Sequence, residues 1–200
     1  MLQRDSATYL EQTEFAVRHA LRGIAQCENL IRGLTPPSQA RSEDDVKRHM
    51  ERTKLYFGRS FSEASLCGLM LQVAFMGIDL YSGNDTIPAD CSGLLGSSRK
   101  AIRFCIGRRV HGIPTGLLIY AARNQFNHWD DESFDVPTSQ VFEALMVAHM
   151  DNPLFDMAYS MNYPYRTLKA AHVVLNELRW TSYEEYDADM KNLLGVSPAG

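Results

Sequence analysis

The sequence predicts an all-α protein: a single bundle of long antiparallel helices over residues 1–195, followed by a disordered tail at 196–200. Apolar residues recur at helical spacing through several long stretches of the chain. No stretch shows the sustained alternation of apolar and polar residues that is typical of a strand. The breaks between helical stretches are mostly short and rich in Pro or Gly, which favours helices packed as neighbours in a bundle.

Length and composition favour one cytoplasmic domain. The chain has 200 residues, of which 45% are hydrophobic, enough for a substantial core. Four widely spaced cysteines form no Cys-x-x-Cys pair, so neither a disulfide framework nor a metal knot is expected. Charged residues lie too near the N-terminus for a signal peptide, and no apolar run approaches the length of a membrane span. We therefore expect a cytoplasmic protein without membrane contact.

The first half of the chain is predicted to form three helical stretches. Residues 5–33 carry apolar positions at helical spacing and end at a glycine. A pair of prolines makes 34–41 a loop. Residues 43–57 are strongly charged and either project from the bundle or bend near Gly58. Residues 60–82 are much more apolar, which predicts a central, largely buried helix.

The second half is predicted to contain shorter helices separated by glycine- and proline-containing loops. The region 81–96 is expected to be a loop, either without regular structure or with one helical turn. Residues 107–115 are expected to form a tight connector that places basic residues near the N-terminal end of the helix after it. An anion site at that helix end and a plain surface turn are both compatible with the pattern. Helices are predicted at 97–105, 114–129, 140–150, 166–180 and 183–194.

The stretch from Pro114 to Asp135 combines an amphipathic helix with residues able to do acid–base chemistry. Asn124 and His128 are four residues apart and share one helix face. Arg123 and His128 are five apart, so they point roughly 140° from each other on a straight helix. For both to reach one ligand, the arginine must swing across, the helix must unwind near His128, or a second copy must complete the site.

Histidine and arginine together suit the cleavage of RNA. Because the unperturbed pKa of histidine is about 6.5, an imidazole gives or takes a proton at neutral pH. It is therefore suited to removing the proton of a ribose 2′-OH or protonating a leaving oxygen. Arginine stays charged and presents a planar fork of donors to phosphate oxygens.

The pattern Arg123-Asn124-x-x-x-His128 resembles the Arg-polar-x-x-x-His signature of the HEPN superfamily, named for higher eukaryotes and prokaryotes nucleotide-binding proteins. This resemblance implies an all-helical, metal-independent and cofactor-free endoribonuclease with a role in toxin–antitoxin or phage-defence systems. It also implies a homodimer in which two motifs line one cleft and bind RNA. Arg123 and His128 would then be catalytic, and Asn124 would orient them.

The resemblance also bears on partners and on a competing motif. It implies an antitoxin or nucleotidyltransferase partner. In one variant of the family a tyrosine two residues after the histidine is modified by such a transferase, and Asp130 occupies that position here. Arg166-x5-His172 fits a looser spacing but has Thr167 after the arginine instead of the usual polar type.

Basic residues concentrate in one part of an acidic chain. The net charge is −4, yet 91–129 contains six cations and no Asp or Glu, which leaves −10 for the remainder. Such a field suits phosphate steering, although solvation of one exposed helix face explains it equally well. The residues predicted to bind RNA phosphates are Arg99, Lys100, Arg103, Arg108 and Arg109.

Two other functions compete with the nuclease. The same fold serves a non-catalytic module that binds a nucleotide or another protein and dimerises. A helical DNA-binding regulator needs a protruding basic helix at 97–109. The motif residues also have an ordinary explanation, in which Arg123 pairs with Asp130 or Asp131 and His128 stabilises a helix C-terminus. A di-iron bundle is disfavoured because no Glu-x-x-His pair occurs.

Overall fold

Seven α-helices and one β-hairpin make up the computed structural model, which describes residues 5–32, 43–131, 133–149 and 170–196. The all-α class predicted from the sequence is confirmed. Two short 3₁₀ helices span Ala89–Cys91 and Lys100–Phe104, and the hairpin strands are β1 (Arg109–Val110) and β2 (Ile113–Pro114). The α-helices are α1 (Ser6–Arg32), α2 (Glu43–Tyr81), α3 (Ser92–Leu95), α4 (Thr115–Asn127), α5 (Val136–Ala148), α6 (Ala170–Glu177) and α7 (Tyr183–Leu193).

The two longest helices, α1 and α2, pack against each other. The start of α1 is capped by Asp5, whose carboxylate accepts a hydrogen bond from Thr8 N at 2.8 Å. The prediction for 5–33 is confirmed, but α2 continues straight through Gly58, so the predicted division near that residue is wrong. One glycine costs a helix only about 1 kcal/mol, and Arg59 adds a hydrogen bond to Leu30 O at 3.2 Å.

The second half of α2 forms the centre of the molecule. It contacts α1, α4 and α6, and it carries several fully buried apolar side chains. The prediction of a central buried helix over 60–82 is therefore confirmed. The side chains concerned are Cys67, Met70, Leu71, Ala74 and Ile78.

Among the described residues, one helix is long and apolar enough to cross a membrane by length and composition alone. The helix is α2, over its residues Asp44–Tyr81. The expectation that no apolar stretch approaches the length of a membrane span is therefore wrong. More than half of its most apolar window is buried inside the molecule. A core helix of a soluble protein passes the same test, and the cytoplasmic location stays a prediction.

The connector before α4 is a β-hairpin, which the sequence pattern did not predict. His111 and Gly112 form its two-residue turn with φ of 50° and 81°, values typical of a type I′ turn. Each strand is only two residues long and so leaves no alternation to detect. The first N–H groups of α4 are already bonded, from Thr115 to Arg108 O at 2.9 Å and from Gly116 to Ile106 O at 3.1 Å. These bonds disfavour the anion site considered for this helix end.

Helix α4 lies inside the bundle and carries the motif at its C-terminal end. It packs on α2, α5, α6 and the second 3₁₀ helix, and Leu117, Leu118 and Ile119 are fully buried. A Cβ on Gly116 would approach Phe104 O to 2.5 Å, so glycine permits the close contact between α4 and the 3₁₀ helix. The helix ends at Asn127, two residues before the predicted end.

Three helices among the described C-terminal residues correspond to predicted ones, and two of them differ from the predictions in their bounds. Helix α5 begins four residues before the predicted start because Asp135 caps it and Pro137 occupies its first turn. The observed α6 lies within the predicted range 166–180, and the residues before Ala170 lie outside the described residues. Helix α7 matches its prediction and begins with a capping box formed by Ser182 and Glu185. Of the predicted tail at 196–200, Val196 is described and 197–200 lie outside the described residues.

Candidate functional site

In the last turn of α4, Asn124 and His128 face one pocket, whereas Arg123 contacts α2. His128 follows the helix with φ of −123° and ψ of 28°, and its N–H still donates to Asn124 O at 3.0 Å. Asn124 and His128 line one pocket, as expected from their spacing. Arg123 instead contacts side chains of α2, so the predicted divergence of Arg123 and His128 is observed.

The Arg123 guanidinium is half-buried and surrounded by neutral groups. Its Nε donates to Gln72 Oε1 at 2.9 Å, and its NH1 donates to Asn124 Oδ1 at 3.1 Å. Its Cζ lies 4.6 Å from the centroid of the Phe75 ring. The Asn127 amide oxygen, turned toward the guanidinium, accepts from Arg123 Nε at 3.0 Å.

No carboxylate among the described residues pairs with Arg123, so its positive charge is fixed in place without being neutralised. The alternative in which Arg123 pairs with Asp131 is not what the structure shows, because Asp131 contacts His128 instead. An arginine whose direction is set by amide oxygens retains its full charge for an incoming anion.

His128 is open to solvent and oriented by one carboxylate. Its Nδ1 lies 2.8 Å from Asp131 Oδ2, and both side chains are 53% exposed. A neutral imidazole that donates Nδ1–H to a carboxylate carries its lone pair on Nε2, where it acts as a base. His128 also occupies the C-terminal end of α4, as the ordinary explanation expected, so the two roles coexist.

Asp135 connects the motif to α5. Its Oδ2 accepts from Tyr120 OH at 2.6 Å and from Asn124 Nδ2 at 3.4 Å. Its Oδ1 caps α5 by accepting from Thr138 N at 3.1 Å. Burial, followed by the hydrogen bond to Asp135, raises the pKa of Tyr120 above its ordinary value. Asp135 therefore fixes the orientation of Asn124, which in turn contacts Arg123.

These groups surround a small polar cavity that we call the motif pocket. Its volume is about 200 Å³, enough for a phosphate or a ribose but not for a folded RNA. Two carboxylates belong to its wall, so a phosphate there depends on Arg123 and on further positive charge. The residues of the motif pocket are Asn124, His128, Asp131, Ser133, Phe134 and Asp135.

Part of the predicted RNA-binding set lies near Arg123. Lys100 Nζ lies 5.0 Å from the centroid of the Phe75 ring, the ring that Arg123 also contacts. Lys100 is also 3.6 Å from Asp79 Oδ2, and Arg103 donates to Asp79 O at 2.7 Å. Lys100 and Arg123 therefore share contact with one aromatic ring.

Arg108 and Arg109 lie at a second cavity and are neutralised there. Arg108 donates to both carboxylate oxygens of Asp189, at 3.0 and 2.9 Å, and Arg109 lies 2.8 Å from Asp90. The structure thus divides the predicted basic set between two places. The second cavity, which we call the hairpin pocket, measures about 710 Å³ and is lined by Arg108, Arg109, Val110, His111, Asn176, Glu177, Leu178, Arg179, Glu185, Ala188 and Asp189.

Sequence reasoning missed the residues that position the motif. Gln72 lies 51 positions before Arg123, and no local signal connects the two. Asp135 lies two residues before Pro137, a typical helix-cap position, so the sequence did contain a local signal for this residue.

The competing histidine has an ordinary environment. His172 Nε2 lies 3.1 Å from Glu28 Oε1 and 3.6 Å from Glu63 Oε1, between α1, α2 and α6. Arg166 lies outside the described residues. Two carboxylates and one imidazole meet here, and a second group of two imidazoles and one carboxylate lies at the hairpin pocket.

No family model, curated protein or solved structure matches this chain. The resemblance to HEPN proteins therefore rests on Arg123, Asn124 and His128 and on the helical class. Any functional conclusion has to come from the geometry of these side chains.

Proposed function

We propose that this protein is a metal-independent endoribonuclease of the HEPN type, acting in the cytoplasm as a homodimer with a toxin or phage-defence role. The observation that supports this most directly is the state of Arg123. Its charge is fixed by neutral amide oxygens and lies beside a pocket that exposes Asn124 and His128. A fixed cation and an accessible imidazole that reach the same phosphodiester are the minimum needed for its cleavage through a 2′-OH. Asn124 connects the two groups here, because it contacts Arg123 and lines the same pocket as His128.

In the proposed reaction His128 transfers the proton. As the base, its Nε2 removes the proton of the ribose 2′-OH while the 2′ oxygen forms a bond to phosphorus. The bond from phosphorus to the 5′ oxygen breaks, and that oxygen takes the proton back from the His128 imidazolium to become a 5′-OH. The other product is a 2′,3′-cyclic phosphate, so no water and no metal ion take part in this step.

Arg123 stabilises the charge that develops on the phosphate oxygens. Asn124 accepts from Arg123 NH1 and donates to Asp135, so it sets the direction of the guanidinium. Because two carboxylates line the motif pocket, one copy supplies little net positive charge there. A second copy brings another Arg123 and another Lys100, which explains why the reaction needs a dimer.

RNA cleavage by matched histidine variants tests this proposal. His128→Ala should lose at least about 100-fold in cleavage rate, the range expected for a general acid or base. His19→Ala is the control, since His19 is exposed on α1 and stacks on Phe15 away from the motif. The assay contains EDTA, circular dichroism verifies that each variant is folded, and the product is analysed for a 2′,3′-cyclic phosphate. Equal rates for both variants, or cleavage that depends strictly on added metal, would overturn the proposal.

A non-catalytic binding module is the second candidate. The observation that favours it is the pair of carboxylates in the motif pocket, together with exposed apolar side chains on α2, including Phe57, Phe61 and Leu80. These side chains suit a dimer or a protein partner such as an antitoxin. A protein that dimerises but shows no His128-dependent cleavage would support this candidate.

A helical DNA-binding regulator loses support. It required a protruding basic helix at 97–109, and this region forms a short 3₁₀ helix followed by the hairpin. Ala101 and Phe104 of that 3₁₀ helix are fully buried, so it is attached to the core and does not project.

A further inference from the structure

Three side chains with metal-binding atoms meet at the wall of the hairpin pocket. His111 lies in the β-turn, His149 directly follows α5, and Glu177 ends α6. His111 Nε2 is 2.9 Å from Glu177 Oε2, and His149 Nε2 is 2.9 Å from Glu177 Oε1. One ligand atom from each residue lies within 4.8 Å of the other two.

This donor set matches the chemistry of zinc and its neighbours among the divalent transition metals. Two imidazoles and one carboxylate are a common set of three protein ligands, and they leave a fourth position for water or another ligand. Metal–ligand bonds of about 2.0–2.2 Å place tetrahedral ligand atoms a little more than 3 Å apart. Each imidazole nitrogen lies 2.9 Å from a different Glu177 oxygen, and one ligand atom from each residue lies within 4.8 Å of the others, so side-chain rotations bring the three donors to that spacing.

The fold brings these side chains together at an energetic cost. His111 has a φ of 50°, which an L-residue other than glycine adopts only with strain. Among the described residues, His111 and Arg179 are the only non-glycine residues with positive φ, and both line the hairpin pocket. Gly112 completes the type I′ turn that places the His111 ring against His149, with ring centroids 4.6 Å apart.

Burial strengthens the case for a ligand. The side chains of Glu177 and His149 are only 12% and 19% exposed, so the carboxylate lies between two rings with little water around it. A largely desolvated carboxylate needs a positive partner, and a divalent cation supplies more charge than an imidazole does.

We propose that His111, His149 and Glu177 bind one divalent transition-metal ion of the zinc type. The fourth position opens toward the hairpin pocket, because His111 and Glu177 belong to its lining. Water or an anion completes the coordination there. The ion fastens the hairpin to the ends of α5 and α6, three segments that are distant in the sequence, and it takes no part in the chemistry proposed for Arg123 and His128.

Metal titration of the full chain tests this site. The purified protein is stripped with a chelator and then dialysed against zinc chloride or cobalt chloride. Elemental analysis should give one ion per chain, cobalt should produce the visible absorption of a four-coordinate site, and zinc should raise the melting temperature. Less than one ion per chain would overturn the proposal.

Substitutions distinguish this cluster from the other one. Glu177→Gln preserves the size of the side chain, and His111→Asn suits a positive φ, so both variants should fold. Each should weaken zinc binding at least about tenfold and lose the rise in melting temperature, since even residues behind a metal ligand contribute that much. His172→Ala, at the Glu28–Glu63 cluster, is the control and should bind zinc as the wild type does. Unchanged binding by Glu177→Gln, or lost binding by His172→Ala, would overturn the assignment.

Discussion

The arginines at the motif pocket and at the hairpin pocket have different kinds of partner. In the motif pocket the side chains come from one short stretch of chain, and the nearby Arg123 contacts only neutral groups among the described residues. In the hairpin pocket the side chains come from distant segments, and both Arg108 and Arg109 are paired with carboxylates. A basic residue is therefore not evidence of anion binding until its partners are known.

This difference distinguishes the arginines that stabilise the fold from Arg123. Arg108 connects the hairpin to α7 through Asp189, which also accepts from the buried Trp180 indole at 2.9 Å. Its charge is used inside the molecule. Arg123 has its position fixed by comparable hydrogen bonds, but no carboxylate of the described residues pairs with it.

Replacing Arg123 should have the largest effect on activity. Arg123→Ala should lower RNA cleavage about 100- to 1,000-fold, because one preorganised group that stabilises developing charge contributes that much. Stability should change by only about 1 kcal/mol, since the lost contacts are hydrogen bonds and one ring contact at a half-buried site. Single-turnover kinetics and thermal unfolding measure the two effects. Arg22→Ala, which removes an exposed arginine of α1, should leave cleavage nearly unchanged, and equal losses in both variants would contradict the assignment.

Replacing Asp189 should have the largest effect on stability. Asp189→Ala leaves the Arg108 guanidinium and the Trp180 indole N–H without their acceptor, so the free energy of unfolding should fall by about 3 kcal/mol. Denaturant unfolding gives this value. At a temperature where the variant is folded, its RNA cleavage should equal that of the wild type. A variant that is stable but inactive would place the chemistry at the hairpin pocket instead.

Replacing Tyr120 should reveal a pH-dependent contribution of its hydroxyl group to the free energy of unfolding. Tyr120→Phe should cost about 1 kcal/mol at neutral pH through the lost hydrogen bond to Asp135. Burial raises the pKa of Tyr120 above 10.0, so the neutral phenol is favoured in the folded state. Its contribution is therefore complete below pH 10 and is lost as pH rises through the raised pKa. The difference in the free energy of unfolding between wild type and variant should shrink above pH 10. A constant difference would show that the pKa of Tyr120 is the same in the folded and unfolded states.

Replacing Asp131 should have the smallest effect. Its contact with His128 is half exposed, so Asp131→Asn should change stability by less than about 1 kcal/mol. Cleavage should fall only a few-fold, because asparagine still accepts a hydrogen bond from the imidazole. Comparing Asp131→Asn with Arg123→Ala measures how much of the cleavage rate depends on the orientation of the His128 ring. A loss as large as that of Arg123→Ala would make Asp131 a catalytic group in its own right.

The sequence by itself determined the helical class and most helix positions. Apolar spacing placed α1, the buried half of α2 and α7 nearly at their observed bounds, because that spacing follows directly from burying one helix face. The divergence of Arg123 from His128 also followed from helix geometry alone. These features depend on residues within a few turns of one another.

Tertiary structure decided what each charged residue contacts. Gln72 reaches Arg123, Asp189 reaches Arg108 and Glu177 reaches His111 across 51, 81 and 66 positions respectively. No local pattern records such pairs, since their partners are chosen by the packing of helices that are remote in the chain. Packing therefore placed Arg123 against neutral amides of the described residues, paired Arg108 with Asp189, and brought two imidazoles to one largely buried carboxylate.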